Sequence, residues 1–113
     1  MNLTIDRTDD VAIIRVGESR MTYPLLAEFS GAVVNLIASG DRKLLVDLGS
    51  VNYLDSAAIG CLMDLYRQAT AAGGALKLSR VQRRVETMLS MTGALNFLEV
   101  HAEEPAAVKS FGN

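Results

Sequence analysis

The chain reads KLLVDLGSVNYLDSAAIG from Lys43 to Gly60. Residues 43–48 are apolar on both faces of an extended chain except at Asp47, which is typical of a central strand covered on both sides and favours parallel pairing. A short loop then leads to Asp-Ser at residues 55–56, and both side chains are preferred where a helix begins. The stretch therefore predicts a buried strand followed by a helix, the repeating unit of an α/β fold.

The segments on either side extend this pattern. Strands are predicted at Leu3–Thr8 and Val11–Val16, and the short Asp-Asp turn between them favours antiparallel pairing. Further predicted elements are a helix at Tyr23–Ser39 that ends at Gly40, a helix from residues 55–56 to about Ala72, a strand at Ala75–Ser79, a helix at Val81–Met91, a strand at Asn96–His101 and a helix at Pro105–Phe111. We expect one α/β domain over residues 1–113, with a mixed, mostly parallel sheet and about four helices.

Composition excludes several classes of function. Of the 113 residues half are hydrophobic, and the net charge is −2, which argues against nucleic acid or an anionic membrane surface as a partner. Arg80, Arg83 and Arg84 cluster, but such a group is typical of a solvated helix face. No apolar run approaches the roughly 20 residues that span a bilayer, and the polar segment Met1–Asp10 does not resemble a signal peptide. The single cysteine, Cys61, fits a reducing compartment, so a cytoplasmic location is expected.

The start of the helix at residues 55–56 allows two interpretations. In the first, Asp55 or Ser56 is only the N-cap, contributing about 1 kcal/mol by accepting a free N–H of the first turn. In the second, the partial positive charge of the helix end stabilises a phosphate on Ser56. The phosphate adds roughly −2 charge at the surface, enough to expel a docked partner without refolding the domain.

Two apolar stripes run along the same helix at 100° per residue. The first is predicted to face the core and contains Ala58, Leu62, Leu65, Ala69 and Ala72. The second contains Ile59, Met63, Tyr66 and Thr70. This second stripe either belongs to the core too, or leaves Ile59 and Met63 exposed beside Ser56 as a docking patch.

The sequence contains little that indicates a catalytic site or a metal site. The only histidine, His101, is placed at the end of the last strand, and no Gly-x-Ser-x-Gly motif accompanies Ser56. Asp47 and Asp55 are a possible carboxylate pair, but a domain of this size offers little substrate cleft. No Cys/His cluster has metal-ligand spacing. We therefore predict neither an enzyme, nor a metal site, nor a cofactor.

The whole chain resembles the STAS family. The likeness lies in the order β-β-α-β, in the apolar strand that ends in Asp-Leu, in the Asp-Ser element at residues 55–56, and in the run of residues 81–100 that matches the family's third helix and last strand. Two positions depart from the family pattern. Ala57-Ala58 stands where Ser/Thr-Gly is frequent, and Arg20 stands where the family has an acidic residue near the acceptor serine.

The resemblance implies an anti-sigma factor antagonist in a bacterial partner-switching pathway. Such proteins bind an anti-sigma factor that is also a Ser kinase, are released when the kinase phosphorylates the serine that corresponds to Ser56, and are restored by a metal-dependent Ser phosphatase. The predicted partner-binding residues are Asp55, Ser56, Ala57, Ile59, Met63 and Arg20. Arg20 either pairs with Asp55 or holds a phosphate on Ser56 through its bidentate guanidinium.

A second interpretation remains open. A constitutive STAS adaptor, such as a subunit of a transport system or a sensory scaffold, would use Ser56 only as a cap, and Arg20 would face a permanent partner. In either case we expect no membrane insertion, and a monomer or weak dimer when the protein is free.

Overall fold

The computed structural model describes residues 1–112, which form seven strands and four α-helices. The strands are β1 (Leu3–Thr8), β2 (Val11–Val16), β3 (Arg20–Met21), β4 (Lys43–Asp47), β5 (Tyr53–Leu54), β6 (Ala75–Ser79) and β7 (Val100–His101). The helices are α1 (Leu26–Ala38), α2 (Ser56–Ala71), α3 (Arg83–Met91) and α4 (Glu104–Ser110). The result is a single α/β domain, as the order of apolar segments predicts.

The main sheet has the strand order β1-β2-β4-β6-β7. β1 and β2 pair antiparallel, as their two-residue turn requires. The pairs β2·β4, β4·β6 and β6·β7 are all parallel. The sheet is therefore mixed and mostly parallel, which confirms the predicted architecture.

Both faces of the central strand β4 are covered, which explains its unbroken apolar run. Leu44 and Val46 belong to the larger core, together with side chains of α1, α2 and α3. Leu45 points to the opposite face and packs with Ala107 of α4 and its neighbours. Complete burial of a leucine side chain is worth roughly 1.5–3 kcal/mol, so β4 anchors the sheet between its two helix layers.

A second, two-stranded sheet was not predicted. β3 pairs with β5 in parallel, with Arg20 opposite Tyr53 and Met21 opposite Leu54. Each strand has only two residues, too few for apolar alternation to indicate a strand. This small sheet ties the segment before α1 to the segment before α2 and so positions the start of α2.

The helix starting at Tyr23 divides into two parts. Residues 23–25 form a 3₁₀ turn with Pro24 inside it, and α1 follows directly. Gly40 has a φ of +105°, which confirms its predicted role after the helix end.

The prediction of a strand over Asn96–His101 was wrong for its first four residues. The amides of Asn96, Phe97 and Leu98 donate to the carbonyls of Gly93 and Ala94, so they form a 3₁₀ turn and are not available to a sheet. Only Val100 and His101 pair with β6.

The third helix likewise begins two residues later than predicted. The Arg80 amide still donates to the His101 carbonyl, 2.9 Å away, which continues the strand pairing beyond β6. Gln82 then has an extended backbone and precedes α3.

Candidate functional site

The start of α2 is capped by Asp55. Its Oδ1 atom accepts a hydrogen bond from the Ala58 amide at 2.8 Å, and its Oδ2 atom accepts one from the Tyr23 amide at 2.9 Å. The Asp55 amide in turn donates to the Met21 carbonyl of β3. Of the two candidate caps, Asp55 therefore has this role, and its carboxylate also joins α2 to the 3₁₀ turn before α1.

Ser56 is the first residue of α2 and is exposed. Within residues 1–112 its hydroxyl has no hydrogen-bond partner, and the amides of Ser56 and Ala57 have no acceptor. A helix end with free N–H groups carries partial positive charge. The hydroxyl thus lies at the surface, on an element that favours an anion beside it.

The second apolar stripe of α2 is more buried than a docking patch requires. Ile59 is only 8% exposed and packs in the core, so of the two alternatives for this stripe the core one holds for Ile59. Met63 and Ala57 are partly buried and pack against the same core. Ile59 of α2 and Met88 of α3 face the same groove.

A shallow groove of about 270 Å³ nevertheless lies beside Ser56. It is lined mainly by Tyr53, Ile59, Met88 and Met91, with Ser56 at its edge. Met91 is 82% exposed. Met88 is half-buried and packs against the core. Neither methionine was among the predicted site residues, although Met91 follows Met88 at the three-residue spacing that places both on one helix face.

Arg20 does not pair with Asp55. Its guanidinium lies over the Tyr53 ring, 4.2 Å from the ring centroid, in a cation–π contact. The oxygens of Asp55 are already engaged by backbone amides. Arg20 is thereby held on the small sheet that leads to Ser56, and it is exposed to solvent.

Asp47 is held in a separate ionic network at the carboxyl end of β4. It is 4% exposed, accepts hydrogen bonds from Arg15 at 2.8 Å and Arg80 at 3.3 Å, and also accepts one from the Gly49 amide. The hydrogen bonds that Arg15 donates to Glu104, first, and then to Asp6 raise the pKa of Arg15. Asp47 is bonded to arginines and to the Gly49 amide, and Asp55 to the amides of Ala58 and Tyr23. The two aspartates therefore do not form a carboxylate pair.

The remaining candidates are also bonded or buried. His101 is hydrogen-bonded to Glu99, and this bond lowers the pKa of Glu99. Burial raises the pKa of the Cys61 thiol. No cluster of three or more metal-ligating side chains occurs in the part of the chain that the structure describes. Over the same residues, no helix combines the length and apolar character needed to cross a membrane.

Comparison with known proteins gives a consistent result. The family model described as "Mlab, STAS domain" matches residues 3–99. The anti-sigma-B factor antagonist of Bacillus subtilis is 26% identical over 113 residues, covering 96% of this chain and 100% of the relative.

Solved structures share the fold. An anti-sigma-factor antagonist (STAS) domain protein from Planctomyces limnophilus superimposes with a TM-score of 0.89 at 16% identity, over 98% of both chains. The Bacillus cell fate determinant SpoIIAA in its phosphorylated form superimposes with a TM-score of 0.73 at 14% identity, over 96% of this chain and 97% of that one.

Proposed function

Because this chain belongs to the STAS domain family, we propose that it is an anti-sigma factor antagonist whose binding is switched by phosphate on Ser56. The proposal depends on one observation. The hydroxyl of Ser56 is exposed at the first turn of α2, while the capping role belongs to Asp55. The serine is therefore free to be modified without loss of the cap.

The N-terminal end of α2 can stabilise a phosphate on Ser56. A phosphate on Ser56 adds roughly −2 charge and three acceptor oxygens. The free amides of Ser56 and Ala57 lie at the positive end of α2 and can donate to such oxygens. The phosphorylated chain is expected to keep its fold.

Phosphate on Ser56 is expected to weaken the binding of a partner protein. Ser56 borders the groove formed with Tyr53, Ile59, Met88 and Met91, and Met63 continues the same side of α2. New charge at that border must be desolvated when a partner covers the groove, which weakens binding. Asp55, Ala57 and Arg20 surround the same point and complete the proposed partner-binding surface.

The partners follow from this proposal. An anti-sigma factor that is also a Ser kinase would bind the unmodified surface and phosphorylate Ser56, and a metal-dependent Ser phosphatase would remove the phosphate. The protein itself would be a non-catalytic regulator without a cofactor, acting in the cytoplasm.

Phosphorylation can be tested directly. The protein is incubated with the kinase encoded in the same genome and ATP, and the phosphate is mapped by mass spectrometry. We expect label on Ser56, none in Ser56→Ala, and full labelling in the matched control Ser50→Ala, since Ser50 is exposed in the loop before β5. Label that survives in Ser56→Ala would refute the proposed site.

The charge effect is measured separately by calorimetry. Ser56→Asp should weaken binding to the kinase by more than about tenfold, or 1.4 kcal/mol, while Ser56→Ala should bind as the wild type does. Equal affinity of all three proteins would favour the constitutive adaptor, in which Ser56 is not a switch.

A further inference from the structure

The groove beside Ser56 is bordered by cations that have no carboxylate partner within residues 1–112. Arg20 and Arg84 are both exposed, and neither makes an ion pair there. Among the other arginines, Arg7, Arg15 and Arg80 are paired with carboxylates, whereas Arg42, Arg67 and Arg83 make no ion pair within residues 1–112. Arg20 and Arg84 differ from these unpaired arginines in their position relative to the groove.

Neither arginine lines the groove itself, but each lies next to residues that do. Arg20 stacks on Tyr53, which forms one wall. Arg84 precedes Met88 by four residues and Met91 by seven in α3, so helical spacing places it on the face that forms the opposite wall. Glu86 is about half a turn from Arg84 on α3, and it lines a neighbouring groove to which Met91 also contributes.

The carboxylate of Asp55, next to Ser56, forms no ion pair with either arginine. Asp55 lies beside the groove, but its Oδ1 and Oδ2 atoms each accept a backbone N–H. The groove thus combines an apolar floor, which includes the adaptable side chains of Met88 and Met91, with free guanidinium groups at its borders. Guanidinium groups recognise carboxylates through paired hydrogen bonds.

We infer that the groove receives an apolar side chain from a partner segment whose flanking carboxylates pair with Arg20 and Arg84. This inference rests on the proposed function and specifies the chemistry of the partner. It also explains release in physical terms. A phosphate on Ser56 would offer the same arginines a competing anion, so the partner would lose its ionic contacts as well as meet repulsion.

The test uses the full chain and synthetic peptides. One amphipathic peptide carries two leucines one helical turn apart with flanking glutamates, and its matched control carries lysines in place of the glutamates. Binding is followed by NMR of methyl-labelled methionines, with the buried Met21 as an internal reference. We expect the acidic peptide to shift Met88 and Met91, and the basic peptide to have no effect.

Charge reversal provides the second arm. Arg20→Glu should weaken binding of the acidic peptide by about fivefold, the upper range for one exposed ion pair. The control Lys109→Glu reverses an exposed charge on α4 and should leave binding unchanged. Equal shifts with both peptides, no shift with either, or shifts that depend only on protein concentration, which indicate a second copy in the groove, would each overturn the inference.

The same titration separates this inference from the proposed function. Acidic-peptide binding that is identical in Ser56→Asp would support the groove and contradict the phosphate switch. Phosphorylation of Ser56 that releases the kinase, together with no peptide binding at Met88 and Met91, would support the switch and overturn the groove.

Discussion

At the start of α2 two neighbouring side chains differ in what they bond. The carboxylate of Asp55 accepts the amides of Ala58 and Tyr23, whereas the hydroxyl of Ser56 bonds to no group within residues 1–112. The difference follows from position, because the residue before the first helical turn is the one whose side chain caps the amides two or three residues further on. Structural support at this end of the helix therefore comes from Asp55 and does not require the hydroxyl of Ser56.

We expect Asp55→Ala to lower the free energy of unfolding by about 1–2 kcal/mol, because two backbone donors lose their acceptor. Ser56→Ala should change it by less than about 0.5 kcal/mol, as for other surface substitutions. Urea denaturation followed by circular dichroism measures both values. A loss in Ser56→Ala as large as that in Asp55→Ala would mean that the serine has a structural role.

At the scale of elements, the passage from α2 to β6 depends on a close backbone approach. A Cβ atom added to Gly74 would lie 2.3 Å from the carbonyl oxygen of Arg42. That same oxygen accepts the amide of Ala75, 2.8 Å away, where the pairing of β4 with β6 begins. Glycine is required here because neither backbone can move without breaking this pairing.

Gly74→Ala should therefore lower the free energy of unfolding by about 2 kcal/mol or more. Gly31→Ala is the matched control, since Gly31 lies inside α1 and a Cβ there would meet no described atom within 4 Å. It should raise the free energy of unfolding by about 0.5–1 kcal/mol through helix propensity. Thermal and urea unfolding of the two variants should thus shift in opposite directions, and shifts of the same sign would contradict this account.

Across the whole molecule, ion pairs connect elements that are distant in sequence. Arg7 of the edge strand β1 forms a two-point contact with Asp41, which precedes β4, and this hydrogen bond lowers the pKa of Asp41. The bond from His101 similarly lowers the pKa of Glu99. Both carboxylates therefore favour the folded state in their ionised form.

The sign of the pH dependence follows from these shifts. Above the unfolded-state pKa of about 4 the stabilisation is complete, and it is lost as the pH falls through the lower folded-state pKa. We expect Asp41→Asn to be less stable than the wild type at neutral pH and to lose less stability on acidification. Urea denaturation at a series of pH values checks this, and parallel pH profiles for the two proteins would contradict it.

Local sequence was sufficient for most of the architecture. The runs that form β2 and β4 are apolar because these strands are buried, whereas the exposed edge strand β1 shows only alternation at Leu3 and Ile5. The helical stripes follow from packing on the two faces of the sheet, so periodicity and caps predicted these elements. The same reasoning failed at residues 96–99. Phe97 and Leu98 resemble part of an apolar strand, but their amides donate to the Ala94 carbonyl within a turn.

The sequence by itself determined the fold, the family resemblance and the position of Ser56 at the beginning of α2. Tertiary structure alone decided that Asp55 is the cap, that Ile59 is nearly buried, and that Arg20 stacks on Tyr53 and borders a groove with Met88 and Met91. The physical reason is that these contacts join segments far apart in the sequence. The pairing of β3 with β5 brings Arg20 to Tyr53, and the packing of α3 brings Met88 and Met91 to the same groove. Such contacts between distant segments leave no periodic pattern in any one segment.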